Sequence, residues 1–199
     1  MSNPTDELLK NIRKCRLCAD DMQRTPNPIV QIGALSRVLV AGQAPGNKAD
    51  INGVPFSDPS GDRLRDWMQI DHATFYNAGV VSIVPMGFCF PGYDKNGGDI
   101  PPLKRCALQW RAEVIAHLEA IEVTLLVGRH AQVWHLGDEC LSTLTETVKN
   151  WKVYARRNIY VLPHPSWRNT AWLKRNPWFE TDVLPEMRER IHAALRLPR

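Results

Sequence analysis

Arg37-Val38-Leu39-Val40-Ala41-Gly42-Gln43-Ala44-Pro45-Gly46 is an apolar, β-branched run that stops abruptly in glycine and proline. So short and continuous a run suits a strand buried on both faces of a parallel sheet, with a sharp turn at its carboxyl end. Three further runs of this kind follow at 80–84, 123–128 and 159–162. Helical stripes lie between and after them: Trp110, Val114 and Leu118, then Leu184, Met187, Ile191 and Leu195. Strands alternating with helices predict a three-layer α/β/α sandwich with a mostly parallel, four-stranded central sheet. Ligands of such folds bind at the carboxyl ends of the strands. Two stretches occupy those ends, Gly42–Gly46 after the first run and Pro163-His164-Pro165-Ser166 after the last.

The 199 residues suit a single domain, 1–199, large enough to fold without disulfides. Ordinary globular composition, 44% hydrophobic and 23% charged, excludes disorder, collagen and coiled coil. No apolar run approaches the ~20 residues that span a bilayer. The charged N-terminus lacks the apolar core of a signal peptide, so a cytoplasmic protein is expected.

The net charge of +4 says little, but its distribution says more. From Thr147 to Phe179 there is no acidic residue, against seven basic ones: Lys149, Lys152, Arg156, Arg157, Arg168, Lys174 and Arg175. The same segment holds Trp151, Trp167, Trp172 and Trp178, four of the seven tryptophans. Cations interleaved with aromatics suit a nucleic-acid surface. Core tryptophans beneath a solvated basic face suit the composition equally well.

Five cysteines are present. Cys15 and Cys18 form a C-x-x-C in a basic stretch ahead of the first strand, which fits metal binding better than a thioredoxin-like redox pair. Cys89 and Cys106 bracket a Gly/Pro-rich loop able to bring its ends together. Four thiolates suit zinc or an iron–sulfur cluster, and the chemistry alone does not choose. Buried small hydrophobes are the alternative for Cys89, Cys106 and Cys140. Cys140 is the spare.

Taken together, the chain resembles the uracil-DNA glycosylase superfamily, above all its family 4-like iron–sulfur branch. Gly42-Gln43-Ala44-Pro45-Gly46, Asp50, Gly53-Val54-Pro55-Phe56 and Ser60-Gly61-Asp62-Arg63-Leu64 follow the pattern G-E-A-P-G-x-x-E-D-x-x-G-x-P-F-x-x-x-[AS]-G-x-x-L. His164-Pro165-Ser166 matches that family's H-P-S, and the four cysteines fall in its cluster order. The resemblance implies a [4Fe–4S] cluster on Cys15, Cys18, Cys89 and Cys106, tying the N-terminal segment 1–35 to the domain, with zinc the lesser alternative. It also implies a monofunctional, base-flipping DNA glycosylase of base excision repair. Its partner would be single- or double-stranded DNA carrying a damaged base, and a monomer is expected.

Excising uracil breaks the bond between N1 and C1′, and negative charge builds on the departing base. By the resemblance, Phe56 stacks on the flipped base. Gln43, Ala44 and Gly46 hold its edge, and His164 donates to its O2. Asp50 is the remaining acid to orient water. Ser166, Trp167 and Arg168 meet the DNA, and Trp167 or Arg168 fills the gap left by the flipped nucleotide. Asp62 and Asp66 are expected on a helix surface, and His130 at a helix start.

Three positions depart from the pattern. Gln43 and Ala49 replace glutamates. Pro85 stands where family 4 has a base-reading Asn, and proline offers neither a side-chain amide nor an N–H. Asn77, Asn96 or a backbone amide near Gly87 are the candidate substitutes. Otherwise the base is hypoxanthine, xanthine or another deaminated base. The R-R-I-H loop of the covalent-capture branch is absent. A superfamily member that binds damaged bases without cutting is the principal alternative. A redox or zinc protein whose function lies in the cysteines is the third.

Overall fold

The computed structural model describes residues 4–197, so the ends of the predicted domain 1–199 fall outside the described residues. The elements run α1 (Pro4–Lys14), β1 (Val38–Ala41), α2 (Asn47–Asn52), α3 (Pro59–Met68), α4 (His72–Phe75), β2 (Val81–Ile83), α5 (Lys104–Ala116), β3 (Val123–Val127), α6 (Arg129–Leu136), α7 (Leu144–Lys149), α8 (Trp151–Ala155), β4 (Ile159–Leu162), α9 (Thr170–Arg175) and α10 (Leu184–Leu195). The four predicted strands form one sheet in the order β2-β1-β3-β4, with every pair parallel. Val38 stands opposite both Val81 and Val123, and Val127 opposite Leu162.

Every residue of β1 and β2 is buried, which is why these strands read as unbroken apolar runs. Their side chains alternate between two packed layers. Val38 and Val40 share a cluster with Leu64 and Met68 of α3 and Met187 and Ile191 of α10. Leu39 belongs to a second cluster, with Leu8 and Ile12 of α1, Val114 of α5, and Leu118. The connection from β1 leaves toward one edge of the sheet and that from β3 toward the other. The switch between them opens a crevice at their carboxyl ends.

The N-terminal segment is held by ordinary packing and hydrogen bonds. Leu8 and Ile12 are buried. Gln31 forms an antiparallel bridge to Ile83, and its Nε2 donates to the carbonyls of Phe75 (2.9 Å) and Val81 (2.8 Å). Among the described residues no helix is long and apolar enough to cross a membrane.

The tryptophan-rich segment resolves in favour of the core. Trp151 and Trp172 are buried and Trp178 packs against the same cluster, while Trp167 is 76% exposed. Its cations scatter too: Arg157 pairs with Glu139, Lys152 lies over Trp151, and Arg175 bonds the Ala171 carbonyl. The stretch runs through α8, β4 and α9, and these contacts do not gather its cations into one binding stripe.

Candidate active site

A cavity of about 690 Å³ opens at the carboxyl ends of β1 and β4. It gathers Gln43, Ala44 and Gly46 from the first loop, Phe56 from the turn before α3, and His164 from the loop after β4. Ser166, Trp167 and Arg168 line it as well. The predicted base-binding and DNA-binding residues thus meet in one place.

Asp50 does not join them. Its half-buried side chain accepts from Arg24 at 3.4 Å and from Asn27 Nδ2 at 3.3 Å, so it ties α2 to the N-terminal segment. An acid at this place in the motif reads as catalytic, but the first turn of α2 aims it the other way.

Phe56 is held in a rare conformation. Its φ of 54° lies in the left-handed region, which costs a non-glycine residue of order 1–3 kcal/mol. Three contacts keep it there. Tyr76 Oη donates to its carbonyl at 2.9 Å. Gly61, in the first turn of α3, presses so close that a Cβ there would stand 1.7 Å from the same oxygen. A Cβ on Gly42 would come within 3.3 Å of the Phe56 ring. The glycines of the motif are therefore the space that Phe56 needs.

The His164 ring lies 6.3 Å from the Phe56 ring, centroid to centroid, and 28° from parallel. The Ser166 N–H donates to its Nδ1 at 3.2 Å, and Asn169 Nδ2 donates to its carbonyl at 2.7 Å. An Nδ1 that accepts carries no proton, so in the neutral ring the proton resides on Nε2. Burial holds the pKa below the ordinary histidine value, against the opposing pull of Asp58 and Asp99. The residue is a neutral imidazole with one N–H to offer.

Pro85 forms part of the cavity wall. The proposed substitutes for its missing amide lie elsewhere or are engaged. Asn77 Oδ1 closes its own turn on Gly79 N–H at 2.9 Å, ahead of β2, and Asn96 is exposed and outside the lining. The Gly87 N–H is taken by the Gln43 carbonyl at 2.9 Å. Behind the wall, the buried Arg111 of α5 donates through Nη1 to the carbonyls of Val84 (3.0 Å) and Pro85 (3.1 Å) and through Nε to His135 at 3.0 Å.

Asp58, Arg63, Tyr93 and Asp99 are among the lining residues that sequence reasoning did not single out. Arg63 Nη1 donates to the Ser166 carbonyl at 3.1 Å, joining α3 to the loop after β4. Tyr93 and Asp99 come from the loop between Cys89 and Cys106, and Arg168 Nη2 bonds the Gly97 carbonyl of that loop at 3.3 Å. Asp58 was legible only as a helix start, before Pro59.

Cys15, Cys18, Cys89 and Cys106 border one small hollow of about 20 Å³ with Phe88 and Trp110. Their sulfurs are met by N–H donors: Trp110 Nε1 to Cys15 at 3.4 Å and Phe88 N to Cys106 at 3.3 Å. Burial pushes the Cys89 thiol up to about 12 and the Cys106 thiol up to about 11, and the neighbouring thiols add to both. Raised thiol pKa values oppose ionisation of the free side chains, and a bound cation would reverse that. Four thiols around one hollow are the donor types that an iron–sulfur cluster or zinc would use. Among the described residues no group of three or more His, Cys, Asp or Glu side chains is drawn together closely enough to hold a metal ion. Cys140 stands apart, its sulfur 3.0 Å from Arg129 Nη1.

A second hollow, of about 950 Å³, lies across the Pro55–Pro59 wall among α1, α2, α3 and α4. His164 and Phe56 do not line it. His130 begins α6 and is likewise outside the 690 Å³ cavity. The motif residues, strand ends and ring geometry converge on the smaller cavity. Residues 30–188 match the family model described as the Uracil DNA glycosylase superfamily, and the chain belongs to that superfamily.

Proposed function

We propose that this protein is a monofunctional DNA glycosylase that flips a deaminated base, uracil foremost, out of DNA and hydrolyses its N-glycosidic bond. The observation that carries the reading is His164, its Nδ1 accepting the Ser166 N–H, beside Phe56 in the cavity. The base stacks on Phe56. As the bond to C1′ breaks, its electrons move onto the base, and Nε2–H of His164 donates to the oxygen where that charge collects. A neutral donor suits this step, since it stabilises the anion without first carrying a charge that would hold phosphate elsewhere.

Gln43, Ala44 and Gly46 border the base. Ser166, Arg63 and Arg168 meet the backbone, and the exposed Trp167 enters the space the nucleotide leaves. Cys15, Cys18, Cys89 and Cys106 would hold a [4Fe–4S] cluster. Its part would be structural, with the four cysteines joining the stretch after α1 to the loop after β2 and the start of α5. The protein acts on DNA as a monomer in the cytoplasm.

The test is strand cleavage at alkali-labile sites in single- and double-stranded oligonucleotides carrying uracil, hypoxanthine, xanthine or no lesion. An abasic product from uracil is expected. Product from a deaminated purine alone would reassign the base. Tight lesion-dependent binding without product would replace the enzyme by a binding protein.

A further inference from the structure

Resting on the glycosylase reading, we propose that Arg111 is a positioning residue that sets which bases the cavity accepts. It holds the backbone carbonyls of Val84 and Pro85 turned away from the base, so that the wall favours an oxo-bearing, deaminated base over an amino-bearing one.

Arg111 is 2% exposed, belongs to α5 and does not line the cavity. Its Nη1 donates to both carbonyls, while Nε and Nη2 turn to His135 of α6. Among the described residues no carboxylate forms an ion pair with it. Burying a guanidinium without a carboxylate opposes folding, and a methionine would fill similar space without that charge. Departures of this kind from an ordinary core are expected where function constrains the fold.

The wall it backs continues from β2. Val84 N–H donates to the Val40 carbonyl, Met86 N–H to that of Gly42 and Gly87 N–H to that of Gln43, each at 2.9 Å. Pro85 has no N–H and leaves a rung missing between them. A Cβ on Gly42 would stand 3.3 Å from the Phe56 ring and 4.0 Å from Pro85 Cβ. Pro85 therefore flanks the space beside Phe56, and its ring offers a base there neither donor nor acceptor.

A deaminated base carries an oxygen where its parent carries an amino group. A backbone carbonyl facing that edge would accept from the amino group of cytosine and repel the O4 of uracil. Gripped from behind by Arg111, the two carbonyls do neither. Selectivity then comes from withholding a contact that undamaged DNA would use.

The experiment measures dissociation constants for single-stranded oligonucleotides that carry one uracil or one cytosine and are otherwise free of both. A fluorine at C2′ of that nucleotide destabilises the cationic sugar and blocks excision. The parent, Arg111→Met, Arg111→Gln and Arg111→Lys are compared, with unfolding temperature and metal content alongside, since Arg111 also senses the charge of Cys106. The parent is expected to prefer uracil by about tenfold or more, the scale of one hydrogen bond gained or lost. Met removes the donors and Gln is too short to reach, so both should bring the preference within about threefold. Lys still donates to the carbonyls and should keep it. The proposal is overturned if the parent shows no preference, if Met or Gln keeps it, or if Lys loses it as they do. It is likewise overturned if the preference falls only in step with metal content, or if neither Met nor Gln folds, which would make Arg111 scaffolding. Absence of alkali-labile product from the parent with every lesion removes the glycosylase reading itself. Excision of uracil with an unchanged preference in Arg111→Met sinks this proposal alone.

Discussion

The Phe56 and His164 rings face one another at 6.3 Å and 28° across the cavity, although 108 positions separate them in the chain. The sheet order brings them together: Phe56 follows β1 after the Gly42–Gly46 loop and α2, and His164 follows β4 by two residues. On the proposed reading, a planar base stacked on Phe56 would present its edge to a donor fixed by a different strand.

Removing that donor isolates its contribution. His164→Ala is expected to slow single-turnover excision by about 10²–10³-fold, the usual loss for one charge-stabilising hydrogen bond. Binding of the lesion oligonucleotide should persist. Excision at the unsubstituted rate would remove His164 from the mechanism.

Gly61→Ala tests the clamp on Phe56. The added Cβ would fall 1.7 Å from the Phe56 carbonyl oxygen, so α3 or the turn must move. Overpacking of this kind costs about 1–3 kcal/mol. Thermal unfolding should show that loss, and lesion binding should weaken with it because the ring is displaced. A variant as stable and as tight-binding as the parent would mean the clamp is soft.

His135 predicts a pH dependence of stability. Burial, and then the Arg111 charge, bring its pKa from 6.5 down to about 3. Arg111, itself lowered to about 10 by burial, remains charged throughout the acid range. The unfolded chain thus binds a proton that the folded chain refuses. Stability from this group is complete above pH 6.5 and falls as the pH drops toward 3, by up to about 1.4 kcal/mol per pH unit. Denaturant titrations at pH 7 and pH 5 should show a larger loss in the parent than in His135→Gln. Equal losses would contradict the assignment.

The thiol corner yields a chemical prediction. Protein isolated without oxygen should contain iron and acid-labile sulfide and absorb broadly in the visible. Cys89→Ser and Cys106→Ser should lose both, with a lower unfolding temperature. Zinc in place of iron and sulfide would select the alternative metal.

Much of the architecture was legible because burial on both faces of a parallel sheet leaves unbroken apolar runs, and the observed strands lie within one residue or so of those runs. Phe56 and His164 were legible because motif glycines and prolines mark strand-end turns. Asp50 and Asp58 show where such reading stops. Both are acids near a helix start, and linear spacing does not reveal which way the first helical turn rotates each carboxylate. The tryptophans show the same limit: a ring beside a lysine in the chain reads alike whether it faces water or, like Trp151, the core. Pro85 could be read as a lost amide, but Arg111 gripping the carbonyls behind it comes from a distant helix and leaves no local trace.

The bond from Arg168 to the Gly97 carbonyl joins two exposed loops at the edge of the cavity, while Phe56 and His164 are fixed by helix, sheet and buried neighbours. An exposed hydrogen bond of this kind is worth about 1 kcal/mol or less in net terms, so parting it leaves the core undisturbed. The doorway is soft and the floor is stiff. A flipped nucleotide would thus gain admission on the timescale of loop motion, nanoseconds to microseconds, and meet a surface that does not have to be rebuilt to receive it.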